Sequence, residues 1–566
     1  MARITAAPAI VVLGHSALAT ARRVQQCYPG SQVHGLRTRV DADVAYTELG
    51  PHLRDLYGQG TPIVALCAAG IVIRCVAPML ANKGVEPPVV AVAEDGSAVV
   101  PLLGGLAGVN AMARDIARVL DVAPAITTSG ELRFGTCLLD PPEGYALASL
   151  AQGKRFVSDL LAGETARIEG DAPWLDDVDV PLASSSRLTI RVTAQESEER
   201  EDELVIHPRC VVAAIGDEAT PSADEILEAL REHRLAQLSL AALLARADRI
   251  GERGLEEAAR TLGVPLRFVD ADQSGAAQLL SVALRVGHDV LLDRSRIALG
   301  LASTPIDVSA LGRARGRLTV VGLGPGCAEL TVPAARTALS EASDILGYET
   351  YLRMAGPFRD DQHVHGSDNR EELQRSRHAF ELASEGRNVA VVSSGDPGVF
   401  AMAAAVLEAL DTADDPRWAT IELHIVPGVS AAMATAAVAG APLGHDFCVL
   451  SLSDNLKPWS IIEKRLRHAA EADLVMAFYN PISRARPWQL DKALEIVREY
   501  RKAETRVVLG RDVGRAGASL VTTTLGALRS DRVDMRTMVI VGSSTTRGIP
   551  GGPHGEWIYT PRWYEA

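Results

Sequence analysis

Val320–Gly326, VVGLGPG, is a short apolar run that ends in three alternating glycines. It reads as a strand whose end turns sharply and lets the backbone approach a ligand, because glycine tolerates angles that a side chain forbids. Two further strand-loop phrases follow. VAVVSSGDPGVF (Val389–Phe400) ends in a Ser-Gly-Asp-Pro turn and another glycine, and IVPGVSAAMATAAVAGAPL (Ile425–Leu443) sets a Pro-Gly turn before a helix dense in small residues. Ligands of open α/β sheets sit outside the carboxyl ends of the strands, so three such loops imply one shared crevice. The rival reading is a nicotinamide-binding turn, which needs a helix opening at the glycines and an acidic residue at the end of the next strand. Asp344 lies at a suitable distance, but it precedes the apolar ILGY, and Pro325 with CAELTVPAA delays the helix. The missing helix start disfavours the nicotinamide reading.

The surrounding chain has 566 residues, which at about 150 residues per domain predicts three or four domains. Hydrophobic residues at 47% and charged residues at 23% are the balance of a globular protein with a core in each segment. Apolar runs are broken well before the roughly 20 residues of a bilayer crossing, so no membrane span or membrane partner is expected. The opening MARITAAPAIVVLGHSALA has one early Arg, and Ala9–Gly14 reads as a buried first strand ending in a glycine turn rather than as a secretion leader. Seven scattered cysteines without CxxC spacing argue against a disulfide framework and a zinc site, so no metal is expected and a reducing cytoplasm is the expected location. A net charge of −14 speaks against nucleic acid, which needs a basic face.

Residues 1–127 alternate AIVVLG, SALATARRVQQCY, PIVALCA, PVVAVA and AGVNAMARDIARVLD, strands and helices of a parallel α/β domain. Residues 128–205, richer in Gly, Pro, Asp and Ser, read as a small connecting domain. It has a helix across Ala146 to Leu161, a strand LTIRVTA from Leu188, and an acidic run Glu196 to Glu203 taken as solvated linker. A third α/β domain, 206–310, opens at CVVAAIGD and continues through SADEILEALREHRL and GLEEAARTLGVPLRFV, the last a helix, a glycine stop and a strand. The basic LGRARGR (Leu311–Arg317) then leads into residues 316–566, long enough for two α/β lobes. Further strands are expected there at NVAVVSSGDP, IELHIVPG, ADLVMAFYNP, TRVVLGRD and TMVIVGSS.

The order VVGLGPG, SSGDPGVF, VPGVSA, then HDFCVLSLSDNLKPW (His445–Trp459) and FYNPISRARPWQL (Phe478–Leu490), resembles the tetrapyrrole methyltransferase family. The first three motifs are common to the whole family; the last two resemble its precorrin-3B C17-methyltransferases. The resemblance implies two α/β lobes, usually paired as a homodimer, with S-adenosylmethionine and a tetrapyrrole in the cleft between lobes. It sets the cofactor against Pro325, Gly395, Asp396 and Phe400, with Ser430, Ala431, Tyr479 and Asn480 completing the pocket. It further implies contacts with other enzymes of cobalamin biosynthesis. Each site also has a local reading: Asp396-Pro397 as a turn, Gly428 and Ser430 as a capped helix start, His445 and Asp446 as a structural loop pair.

Methyl transfer from a sulfonium to an electron-rich ring carbon asks the protein mainly for orientation and exclusion of water. The ring contraction implied by the resemblance adds proton movements, for which His445, Asp454 and Tyr479 are the acid–base candidates. Lys457 shares their segment. A substrate with many carboxylates should meet cations, and Arg484, Arg486 and Arg511 lie near the motif-bearing loops.

The stretch Ala68–Gly105, with GIVIR, AP, Lys83 before a Pro pair, DG and PLLGG, resembles the first domain of the cobalt-precorrin-5A hydrolase family. Val211–Asp307 resembles that family's C-terminal domain through DEILEAL and GLEEAARTLGVPLRF. Two departures stand out. Gly104–Ala113 reads GGLAGVNAMA, with Leu106 where the family has His and Val109 before Asn110; Ala214–Thr220 reads AIGDEAT, with Asp217 where a Cys is expected. The resemblance therefore implies a fusion whose first half is a degenerate, corrinoid-binding module. An active hydrolase half, a cobalt-factor III substrate and a nucleotide-dependent oxidoreductase are the alternatives.

Overall fold

Runs of apolar and β-branched residues that are buried on both faces form central parallel strands, and the helices between them cover those faces. This rule organises the chain in a computed structural model, which describes residues 7–563 except 29, 81–85, 177, 272–274, 360, 369–370, 484–485 and 553. Lys83 and Arg484 therefore lie outside the described residues. The chain divides into two units, with the boundary between Arg315 and Gly316.

Among the described residues the first unit holds three sheets. The first has the order Val44–Tyr46, Gln32–Leu36, Ala9–Val12, Ile63–Leu66, Val89–Val92, Val99–Leu103, parallel except for the last strand. Ala9–Val12 is buried at every position and central, and its glycine turn leads into a short 3-10 turn and the helix Leu18–Gln25. The second sheet runs Tyr145–Leu147, Glu203–Pro208, Leu188–Val192, Ala166–Glu169. The third runs Leu266–Val269, Leu240–Arg246, Val211–Ile215, Ile297–Ala302, His288–Asp293.

Two expectations are corrected in the second sheet. The helix expected across Ala146 to Leu161 begins only at Leu150, because Ser149 caps it by accepting from the Gln152 amide at 3.3 Å, and Tyr145–Leu147 instead pairs antiparallel with Ile206–Pro208. The acidic run is not all linker. Glu203 starts a strand, is 5% exposed, and accepts from the Arg191 guanidinium at 2.7 Å. A charge run read from sequence has no way to show that one member is buried with an arginine opposite it.

The second unit has two lobes. In the first, five parallel strands take the order His363–Ser367, Asp344–Tyr348, Asn388–Ser393, Arg317–Gly322, Glu422–Val426. The strands that carry the three glycine loops are thus neighbours, and all three loops leave at the carboxyl end. In the second lobe the order is Phe447–Ser451, Val475–Tyr479, Thr537–Val541, Arg506–Arg511, Ser519–Thr524. Only the pair Phe447–Ser451 and Val475–Tyr479 is parallel; the other neighbours are antiparallel.

Asp344 occupies the first position of its strand, at the end of the sheet opposite the glycine loops. Its carboxylate is fully buried and takes Ser343 Oγ at 2.8 Å, His365 Nε2 at 3.0 Å and Arg387 Nη1 at 3.1 Å. Burial pushes this carboxyl up, but the His365 and Ser343 hydrogen bonds and the Arg387 charge outweigh it and hold it below the ordinary carboxylate range. A group depressed in the folded state stabilises above its ordinary pKa of about 3.9 and loses that contribution as the pH falls through the lower, folded value. Asp344→Asn should cost about 2 kcal/mol at pH 7, since the buried site loses charge-assisted hydrogen bonds from His365 and Arg387. In urea unfolding the gap from wild type should narrow below about pH 4.

Candidate active site

The three strand-end loops interlock through their backbones. Gly324 and Gly395 exchange both amide hydrogen bonds, at 3.1 and 2.7 Å, and the Leu323 amide reaches the Ser393 carbonyl at 2.9 Å. Both glycines have positive φ, 69° and 70°. A Cβ on Gly322 would meet the Gly428 nitrogen and Pro397 Cδ at 2.7 Å each, and one on Gly428 would collide with the Gly395 carbonyl oxygen. Glycine is therefore required by backbone contact between strands at these positions.

Asp396 closes the junction. One carboxylate oxygen accepts from the Gly398 amide at 2.8 Å and the other from the Gly428 amide at 3.1 Å. The first bond is the local turn; the second ties the second loop to the third. Each oxygen keeps a lone pair for a further donor.

The helix Ala431–Ala439 starts at this junction, capped by Ser430 Oγ, which accepts from the Met433 amide at 3.4 Å. The Tyr479 hydroxyl, at the carboxyl end of its strand in the second lobe, accepts from the Ala432 amide at 3.2 Å, so its own proton remains available to donate. The Tyr479 and Phe400 rings pack 5.4 Å apart, and Phe400 is 50% exposed. Asn480 Nδ2 donates to Ser451 Oγ at 3.1 Å, joining the carboxyl ends of two adjacent strands. Phe400, Asn480 and Asp512 all have positive φ, 53°, 49° and 52°. For a residue as bulky as Phe this conformation is costly, and such outliers gather at ligand sites.

The structure thus brings Pro325, Gly395, Asp396, Phe400, Ser430, Ala431, Tyr479 and Asn480 to one end of the two sheets. Asp454 lies on the loop after Ser451, where it accepts from the buried Gln489 Nε2 at 3.1 Å. His445 is not among them. It precedes the strand Phe447–Ser451, its Nδ1 accepts from the Asp446 amide at 2.7 Å, and about 20 Å of extended chain separates it from Ser451. The local loop reading describes His445 better than the acid–base one.

The substrate arginines divide as well. Arg511 stands at the same sheet end as Asn480, but Asp534 at 2.8 Å and Asp512 at 3.2 Å already hold it. Arg486 sends one nitrogen towards Met535 Sδ at 3.9 Å, while Nη1 is buried without a hydrogen-bond partner. Sequence reading missed Arg515, whose Nε donates to the Pro325 carbonyl at 2.7 Å and whose Nη2 donates to Ser394 Oγ at 3.0 Å. That side chain staples a loop of the second lobe to the first glycine loop. Nothing in the phrase GRAGAS signals a partner some 190 residues away.

In the first unit, Asp217 pairs with Arg246 at 2.9 Å, so the position where a thiol was expected is an ion pair. Asn110 Nδ2 donates to Thr128 Oγ1 at 3.0 Å and to Glu131, which Arg114 also holds. Leu106 offers no proton-transfer group. Among the described residues no cluster of three His, Cys, Asp or Glu side chains is placed to hold a metal ion, and no helix is long and apolar enough to cross a membrane.

Known proteins match a part of each unit. Residues 317–529 match the family Tetrapyrrole (Corrin/Porphyrin) Methylases, and residues 51–131 match Cobalamin synthesis G N-terminal. The chain is 50% identical over 249 residues to a precorrin-3B C(17)-methyltransferase of a Sinorhizobium species, covering 44% of this chain and 97% of that one. It is 45% identical over 261 residues to the cobalamin biosynthesis protein CobIJ of Mycobacterium tuberculosis, covering 45% of this chain and 50% of that one. A crystal structure of the methyltransferase CobJ, 50% identical, covers 44% of this chain and 100% of its own with a TM-score of 0.41.

The loop junction generates one stability test. Gly428→Ala must push the Gly395 carbonyl away, a cost of about 2 kcal/mol by comparison with overpacked cores. The melting temperature of the second unit should fall by about 5 °C. Gly551→Ala, where a Cβ meets nothing within 4 Å but φ is 102°, provides a control that isolates backbone strain from collision.

Proposed function

Because the chain belongs to the tetrapyrrole (corrin/porphyrin) methylases, we propose that its second unit methylates C17 of precorrin-3B from S-adenosylmethionine, with ring contraction to precorrin-4. The observation that carries this reading is the 50% identity to a precorrin-3B C(17)-methyltransferase over nearly that protein's whole length. The geometry suits the chemistry. The cofactor fits the cradle of Gly324, Gly395 and Gly428, where backbone atoms, not side chains, line the approach, and the N-terminus of the helix Ala431–Ala439 opens onto it. S-adenosylmethionine supplies an electrophilic methyl group on sulfur.

This chain's residues do the positioning. Asp396 holds the second and third loops in register and keeps lone pairs for a cofactor donor. Phe400 and Tyr479 form an aromatic wall that excludes water from the transfer path, so orientation supplies most of the rate. For the proton movements of contraction, the Tyr479 hydroxyl and the Asp454 carboxylate are placed at this end of the lobe; His445 is not. The assembly we propose is a homodimer through the second unit that handles its intermediate alongside other cobalamin-pathway enzymes.

The first unit, with Asp217 tied to Arg246 and Leu106 in place of a histidine, binds a corrinoid without hydrolysing it. Full-length protein given cobalt-precorrin-5A should leave its lactone closed; turnover to the opened product would establish an active hydrolase half.

Full-length protein incubated with S-adenosylmethionine and either precorrin-3B or cobalt-factor III should give a product heavier by one methyl group from precorrin-3B. Reaction with cobalt-factor III alone would assign the cobalt-bearing substrate instead. His445→Gln should keep kcat within about threefold, whereas loss of a proton-transfer residue costs 10²–10⁴-fold.

A further inference from the structure

Beside Phe400 a small pocket is walled by Val449, Leu450 and Ile462 and ringed by Ser451, Lys457 and Arg465. Lys457 Nζ stands 5.9 Å from the Phe400 ring centre. Neither Lys457 nor Arg465 has an acidic partner among the described residues. That is unusual in a chain with 71 acidic and 57 basic side chains, where most arginines near the loops are already paired. The nearest acid in sequence, Asp454, is held by Gln489.

The pocket's third polar group is oriented too. Ser451 Oγ accepts from Asn480 Nδ2 at 3.1 Å and from the Ser453 amide at 3.3 Å, which leaves its hydroxyl proton available to donate. Two cations and a hydroxyl donor line one pocket, and its three aliphatic walls suit a short hydrocarbon stem behind an anionic head. Burial, then the charge of Arg465, pulls the Lys457 ammonium below its usual range, as two facing cations without a counter-ion should.

The arrangement continues along the helix Trp459–Glu471. Ile461, Lys464, Arg465 and His468, spaced three and four apart, turn to one side and line an adjoining cavity of about 490 Å³ against Cys448 and Leu450. Glu463 on the same helix is bound instead to Arg467 at 3.0 Å.

We propose that Lys457 and Arg465, with the Ser451 hydroxyl, form a subsite that grips one carboxylate arm of the tetrapyrrole and so sets the ring against Phe400. The proposal rests on the tetrapyrrole reading above and deepens it. It differs from the sequence expectation, which placed this duty on Arg484, Arg486 and Arg511. The guanidinium and ammonium donate to the carboxylate oxygens, and no bond is made or broken in the subsite.

The test uses full-length protein, with Lys457→Gln, Arg465→Gln and the double variant. Binding of uroporphyrin, a stable polycarboxylate tetrapyrrole, is followed by fluorescence, and binding of S-adenosylhomocysteine by calorimetry. Each single variant should weaken the tetrapyrrole about tenfold and the double variant about a hundredfold, while S-adenosylhomocysteine stays within about twofold. Lys457→Arg should restore most of the affinity, which a merely structural lesion would not allow, and KM for precorrin-3B should rise more than kcat falls. Unchanged tetrapyrrole affinity in a folded double variant would overturn the subsite and leave the methyltransferase reading intact. Failure of the wild type to bind any tetrapyrrole while it binds S-adenosylhomocysteine would overturn both.

Discussion

The second unit depends on backbone-to-backbone contact between neighbouring strand ends, which only glycine permits. Gly322, Gly395 and Gly428 meet where a Cβ on Gly322 would lie 2.7 Å from the Gly428 nitrogen, and Gly324 completes the bridge to Gly395. This contact removes side chains from the mouth of the crevice and leaves backbone there instead. It also fixes where everything else sits. Asp396 is pinned across the junction, the helix Ala431–Ala439 starts from it, and Tyr479 reaches the start of that helix from the second lobe's sheet, on which the helix packs. Arg515 then clamps the first loop from the same side of the second lobe.

Electrostatics explains how an acidic chain could hold an acidic substrate. Cations near the crevice fall into two groups. Arg511 and Arg536 are paired with Asp534 and Asp512, and Arg515 is spent on a carbonyl and a hydroxyl. Lys457 and Arg465 face a pocket with no such partner, and a charge already neutralised within the protein has less to offer a ligand. Net charge therefore says little about the site, while the pairing of each cation says a good deal.

Much of this was legible in the sequence. Glycine spacing marked the strand ends, and buried β-branched runs such as Val389–Val392 marked the strands, because both signals come from steric and solvation rules acting locally. The helix after Pro325 is delayed, as its sequence implied, to Pro333, and Asp344 is a buried ion-pair partner at the opposite sheet end. What was not legible depends on distant partners. Arg515 meets Pro325, Glu203 meets Arg191, and Arg511 is neutralised by Asp534, none of which sequence neighbours reveal. His445 sat within a suggestive motif, yet a strand placed between it and Ser451 carries it to the other end of the sheet.

The central claim is that the glycine junction is a pocket for S-adenosylmethionine and not for a dinucleotide. Calorimetric titration of the full-length protein with S-adenosylhomocysteine and, separately, with NADPH, repeated on Gly428→Ala, addresses it most directly. The account predicts saturable binding of S-adenosylhomocysteine that Gly428→Ala removes, and no binding of NADPH. Binding of NADPH without S-adenosylhomocysteine would contradict it.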